Sequence, residues 1–271
     1  MEAGGVMTSI DADGKIGCAM PVAAIVPPVC SDGEVHVWFA AFGPKDPGPK
    51  AFAGLLDAQE IARANRFMFP HHRERFIRAH GILRLVLAAY VGVPPAQISF
   101  TAGSYGKPML ANSDRFEFSL SHSGDGVAVA VSTGMRIGVD IELPRDMNDR
   151  DEFVRRNFSA GEIAAYEATG LPDRDRAFFQ FWTRKEAFLK GLGLGLSRPL
   201  DSFTVGLGTP VALDAPGDGD WSLHHLDPGD GFAGAVACDH PAPALHGWRL
   251  RFEANTLTQM PHGRGRSPNL G

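Results

Sequence analysis

FWTRKEAFLKGLGLGL, residues 181–196, reads as the later part of a helix that begins near Asp175 and stops at glycine. Phe178, Phe179, Phe181, Trp182, Phe188 and Leu189 give it a broad apolar surface, so it is expected to be largely buried. Gly191, Gly193 and Gly195 end it in the manner of C-terminal caps. Side chains four apart on a helix point the same way, which puts Trp182, Glu186 and Lys190 on one face, with Lys185 beside them in sequence. A carboxylate next to a tryptophan in a buried helix is costly unless a cation meets it. Two readings stand open: an intrahelical Glu186–Lys190 pair worth a few tenths of a kcal/mol, or charges kept for chemistry.

RIGVDIELP, residues 136–144, alternates as a strand. Val139 and Ile141 face one way; Gly138, Asp140 and Glu142 face the other. Two carboxylates two residues apart on one face have Cα atoms roughly 6–7 Å apart and can converge on one hard cation. With Glu186 they make three oxygen donors, a set that suits Mg²⁺ carrying substrate phosphates and waters. Without a partner the same strand is simply one with an acidic outer face.

These two stretches, with FSLSHSGD at 118–125, GKP at 106–108 and LSRPLDSFTV at 196–205, resemble the 4′-phosphopantetheinyl transferases of the Sfp type, in the right order across roughly residues 35–253. The resemblance implies an α/β (α+β) fold of two similar, pseudo-twofold-related halves in one chain. It implies an enzyme that moves the phosphopantetheine arm of coenzyme A onto a serine of an apo acyl or peptidyl carrier protein, releasing 3′,5′-ADP. By position it makes Asp140, Glu142 and Glu186 the ligands of Mg²⁺ (or Mn²⁺), and Glu186 the base, with Lys190 as the second candidate. It places Lys107, Pro108, Ser121, His122, Lys185 and Lys190 at coenzyme A. Arg75 is the first candidate for its 3′-phosphate, with Arg63 and Arg66 behind it. Arg155 and Arg156 with the following NFS sit where the family tends to receive the carrier. Ser119 stands where the family often has asparagine. Two other classes remain: a different Mg²⁺-dependent phosphate-cleaving enzyme, and a non-catalytic carrier-binding module.

With 44% apolar and 21% charged residues in 271, the chain can bury a proper core as one large domain or two small ones. The net charge of −5 argues against general nucleic-acid binding, so any basic site is local. Cys18, Cys30 and Cys238 lack metal-ligand spacing and are odd in number, which suits the reducing cytoplasm. Residues 1–33 read as a poorly ordered extension: CAMPVAAIVPPVC has no basic region before it and is broken by prolines. No apolar run is long enough to span a membrane.

Residues 34–42 read as the first strand, about 52–67 as a helix that Pro70 breaks, and about 72–91 as a second helix whose arginines, Arg84 among them, form a basic face. Strands follow at 98–100, 116–123 and 126–132. Ser159-Ala-Gly-Glu162 is a capping box opening a helix over about 160–168, and further strands are expected near 201–206, 220–225, 231–238 and 247–252. FSLSHSGDGVAVAV at 118–131 resembles WSLHHLDPGDGFAGAVA at 221–237, and RAHGILR at 78–84 resembles RKEAFLK at 184–190. The chain therefore divides into a first half, 34–142, and a second, 143–254, with the site between them. A tail over 255–271, without apolar period, is expected to be disordered. Since the halves share one chain, a monomer is expected.

Overall fold

The computed structural model describes residues 29–103, 105–111 and 113–252, with residues 13, 14, 18–21, 25 and 27. Most of the expected N-terminal extension and the whole expected tail lie outside them. The chain runs β1 (Cys18–Pro21), β2 (Glu34–Ala41), α1 (Pro49–Ala53), α2 (Ala58–Ala64), α3 (Pro70–Val91), β3 (Phe100–Ala102), β4 (Pro108–Leu110), β5 (Phe116–Ser123), β6 (Gly126–Thr133), β7 (Ile137–Glu142), α4 (Arg150–Asn157), α5 (Ala160–Ala168), α6 (Arg174–Leu192), β8 (Thr204–Val205), β9 (Leu213–Asp214), β10 (Ser222–Leu226), β11 (Ala233–Cys238) and β12 (Ala244–Arg251).

The two repeated sequences form two hairpins, β5–β6 and β10–β11, and each hairpin continues into a strand that crosses to the other half. β7 leaves the first hairpin and pairs antiparallel with β11; β12 leaves the second and pairs parallel with β2. The sheets are accordingly ordered β1-β12-β2-β6-β5 and β10-β11-β7. Alternation along the strands builds the layers. Val35, Val37 and Phe39 of β2 meet Ile137, Val139 and Ile141 of β7 and Val236 of β11 between the sheets. Trp38 and Ala40 face the other way, into a core with Ile82 and Val86 of α3 and Trp248 of β12. α6 covers β7 and β11, with Phe178, Phe181 and Phe188 in a core of their own.

Two glycines let α6 lie close on β7. A Cβ on Gly138 would run into the carbonyl of Ala187, and one on Gly191 would strike the ring of Trp221. Gly191 thus sits inside the helix as a contact residue, and the left-handed C-cap is Gly193 alone, at φ 74°. A second device joins the sheets. β5 and β7 lie side by side without a main-chain ladder. Instead the hydroxyls of Ser119, Ser121 and Ser123 accept the N–H groups of Val139 (3.0 Å), Ile141 (3.3 Å) and Leu143 (3.1 Å). Serines two apart share a face, so three of them stand in for the missing strand carbonyls.

Four expectations change. The helix over 52–67 is two short helices, because Asp57 accepts from the N–H of Glu60 while Glu60 accepts from that of Asp57, starting a new helix. Pro70, at the first position of α3, opens that helix. Arg84 is not on a solvated face: it is fully buried, bonded to Asp57, Glu60 and the carbonyls of Pro95 and Ile98. Residues 18–21, assigned to a poorly ordered extension, form edge strand β1 beside β12, and the Gly14 carbonyl accepts from the N–H of Asp227. None of the described helices is long and apolar enough to cross a membrane.

Candidate active site

The close packing of α6 on β7 sets Lys190 over Asp140. The Lys190 ammonium donates to Asp140 Oδ1 at 2.6 Å and to Ser121 Oγ at 3.0 Å, and Ser121 donates to the same Oδ1 at 2.8 Å. Ser121 also accepts from Ile141, so its hydroxyl is saturated and Asp140, Lys190 and β5 are locked together. Ser123 donates to Glu142 at 2.5 Å, and Arg145 lies 3.5 Å from that carboxylate. Glu186, one turn before Lys190, makes no hydrogen bond or ion pair with protein among the described residues, so its carboxylate is free to act.

The electrostatics show a shortage of positive charge. Burial raises the pKa of Asp140, against the opposing pull of Lys190 and Ser121. Burial raises Glu142, with Asp140 adding to it. Burial raises Glu186, and the charges of Asp140 and Glu142 raise it further while Lys190 opposes. Asp140 Oδ2 is buried without any partner. A buried carboxylate oxygen is costly when unmatched; three neighbouring carboxylates, with Lys190 on Asp140 and exposed Arg145 near Glu142, suit a hard divalent ion with oxygen ligands. Among the described residues the three carboxylates do not close to mutual ligand spacing, and Lys190 meets Asp140 meanwhile.

The neighbouring surface is basic. His122 follows Ser121 on β5 with its ring reached by solvent. Crowding by surrounding protein, then the charges of Lys190, His80, Arg75 and Arg63, push its pKa down to about 4. So many cations around one neutral ring make a site for anions. Arg75 and Arg78, one turn apart on α3, both reach Asp125 of the β5–β6 turn, at 3.7 and 3.5 Å. With His122 and Gly124 they border a narrow crease in the surface. Composition and motif alone do not single out Arg78 among the arginines of its helix. Its spacing from Arg75 is the signal that finds it, and its Nε is buried without a partner.

Arg63 and Arg66 are exposed near the end of α2, and Arg63 stacks over the Phe76 ring. The structure does not bring Lys107 to the carboxylates. Its ammonium donates to the carbonyls of Ile137 (2.9 Å) and Gly191 (3.4 Å), at the other end of β7 from Glu142. Pro108 is exposed on β4. Lys185 lies apart from these side chains. Its ammonium is wholly buried in the second half, 2.7 Å from Glu162 Oε1, and donates to the carbonyls of Leu200 and Phe203. One residue before Glu186 is about 100° round the helix, and that turn points Lys185 towards Glu162 and the carbonyls of Leu200 and Phe203.

Residues 136–237 match the family model of the 4′-phosphopantetheinyl transferase superfamily, and residues 42–134 match that of the 4′-phosphopantetheinyl transferase N-terminal region. The 4′-phosphopantetheinyl transferase HetI of Nostoc sp. is 37% identical over 227 residues, covering 81% of this chain and 91% of its own. A phosphopantetheinyl transferase of Thraustochytrium sp. is 32% identical, covering 77% and 80%. The 4′-phosphopantetheinyl transferase Sfp of Bacillus subtilis is 29% identical, covering 70% and 85%.

Proposed function

The chain belongs to the 4′-phosphopantetheinyl transferase superfamily, and from that membership we propose how its residues carry the reaction. A serine hydroxyl of an apo carrier protein attacks the coenzyme A phosphorus next to pantetheine. The new O–P bond forms as the bond to the bridging oxygen breaks, and 3′,5′-ADP leaves with that electron pair. The observation that carries this reading is the set of three neighbouring carboxylates, all with raised pKa, with Lys190 on Asp140 and the basic surface of Arg75, Arg78 and His122 beside them.

Glu186 takes the serine proton. Its carboxylate lacks competing hydrogen bonds from protein among the described residues, which leaves an oxygen for the serine proton. Lys190 suits that role less, because its protons are already given to Asp140 and Ser121. Asp140, Glu142 and Glu186 would hold Mg²⁺, with Mn²⁺ able to replace it, which would neutralise charge on the diphosphate oxygens. His122, Arg75 and Arg78 receive the phosphates of coenzyme A, with Arg63 and Arg66 at the edge of the same field. Lys107 would join them only by leaving the carbonyls it now serves.

The test is direct. The protein is incubated with coenzyme A, Mg²⁺ and an apo acyl or peptidyl carrier, and the carrier is weighed by intact-mass spectrometry. The expected result is a phosphopantetheine adduct on one serine, absent with excess chelator. Release of coenzyme A fragments without any adduct would make the protein a phosphate-cleaving enzyme instead, and no turnover with bound carrier would make it a binding module.

A further inference from the structure

Away from this site, at the start of β2, a second group of ligand-type side chains comes together. Donor atoms of Cys30, Glu34 and His36 all lie within 4.8 Å of one another. Glu34 and His36 are two apart on β2 and share a face. His246 of β12 is the direct cross-strand neighbour of His36. Its Nε2 is 3.9 Å from Glu34 Oε1, and His36 Nε2 is 3.7 Å from Glu34 Oε2. The rings of His36 and His246 stand edge to face, 5.6 Å between centroids.

We propose that Cys30, Glu34, His36 and His246 form a tetrahedral site for a borderline-soft divalent cation, Zn²⁺ first, which ties the turn before β2 to both β2 and β12. Three observations support it. First, His36 is fully buried and its Nε2, the nitrogen that faces Glu34, has no hydrogen-bond partner. Buried polar nitrogens without partners are rare in folded proteins. Second, the other nitrogen of His36 lies 2.7 Å from the Tyr90 hydroxyl, which also accepts from the Trp38 indole. A metal-bound histidine is held in just this way by a hydrogen bond on its far nitrogen. Third, the charges close: one thiolate, one carboxylate and two neutral imidazoles cancel a divalent ion, so burying the complete site leaves no net charge. The thiol proton would pass to solvent on binding.

With bonds of about 2.0–2.3 Å, donors of a tetrahedral zinc site stand roughly 3.3–3.7 Å apart. The separations from Glu34 are close to that already; His246 stands outside the group of three that lie within 4.8 Å of one another, so its ring must turn inward to join them. Glu34 and His246 keep some exposure, which gives an ion a way in. Sulfur and imidazole donors separate this site in kind from the all-oxygen set at Asp140, which favours Mg²⁺.

The experiment titrates the chelator-stripped full chain with Co²⁺ and records its absorption spectrum. The expected result is one equivalent giving intense tetrahedral bands and a thiolate-to-cobalt charge-transfer band, both displaced by one equivalent of Zn²⁺. Cys30→Ser should lose the charge-transfer band, and His246→Asn should weaken Co²⁺ binding at least tenfold. Asp140→Ala should leave the spectrum unchanged. Circular dichroism confirms that each variant is folded, and the two ligand variants lie on different elements, so failure of one to fold leaves the other to decide. A wild-type chain without a charge-transfer band would overturn the proposal. So would a band that survives in Cys30→Ser, or one lost with Asp140→Ala.

Discussion

At the scale of single residues, Glu186 and Lys185 are adjacent in sequence and opposite in use. Glu186→Gln keeps the size of the side chain and removes both base and anionic ligand, so turnover should fall about 10²-fold or more. Carrier modification followed by mass spectrometry measures it; near wild-type turnover would remove Glu186 from the chemistry. Lys185→Met leaves Glu162 buried without its cation. Breaking a buried pair in this way costs about 3–5 kcal/mol, so denaturant unfolding should show a large loss. The Michaelis constant for coenzyme A, measured where the variant is still folded, should not move. A raised Michaelis constant with unchanged stability would return Lys185 to the ligand. His122 supplies a pH signature. Its pKa is about 4 in the fold against 6.5 ordinarily. Between those values the unfolded chain binds the extra proton, so stability falls as pH drops from 6.5 towards 4. His122→Gln should flatten that part of a melting-temperature profile, and an identical slope would show the ring to be unperturbed.

Asp140, Glu142 and Glu186 were legible because alternation on a strand and four-residue spacing on a helix both fix direction. Lys185 and Arg84 were not. Sequence alone does not say which neighbouring surface a fully packed helix turns each side towards, and both residues found carboxylates or carbonyls inside the protein.

At the scale of elements, the site depends on how β5, β7 and α6 are joined. Ser119 is the member of the serine series that touches no carboxylate. Ser119→Ala would leave the Val139 N–H buried and unmet, a loss of about 1–3 kcal/mol. Chemical denaturation should show that loss with the Michaelis constant for coenzyme A little changed; full stability would mean that Ser119 does not join the sheets. This lacing was hidden in the sequence, since S-x-S-x-S on a strand names a face but not the backbone it meets. The break between α1 and α2 was different. DAQE at 57–60 is a capping box that the apolar pattern on either side overrode. The α5 capping box, the α6 core helix and the hairpin repeat were read from local pattern and are present, because each is set within one element or one turn.

At the scale of the whole molecule, the halves exchange strands. β7 lies in the second sheet and β12 in the first, so the cut at residue 142 divides the sequence repeat more cleanly than it divides the structure. Long-range pairing of this kind has no local signal. The exchange also brings the residues of the proposed site together from both halves: Asp140, Glu142, Ser121 and His122 come from the first half, Glu186 and Lys190 from the second. The repeat places His80 opposite Glu186, and His80 is paired with Glu60 rather than free for a cation. The second half has no copy of GVDIE beside its SLHH. On the proposed reading a monomer should carry one coenzyme A site, dependent on Mg²⁺ through Asp140. Calorimetric titration of coenzyme A in the presence of Mg²⁺, into the wild-type chain and Asp140→Ala with light scattering on the same samples, tests this most directly. The account predicts a monomer with one site per chain, and binding at least tenfold weaker or insensitive to Mg²⁺ in the variant. Two equivalent sites per chain, or the same Mg²⁺-dependent affinity in Asp140→Ala, would contradict it.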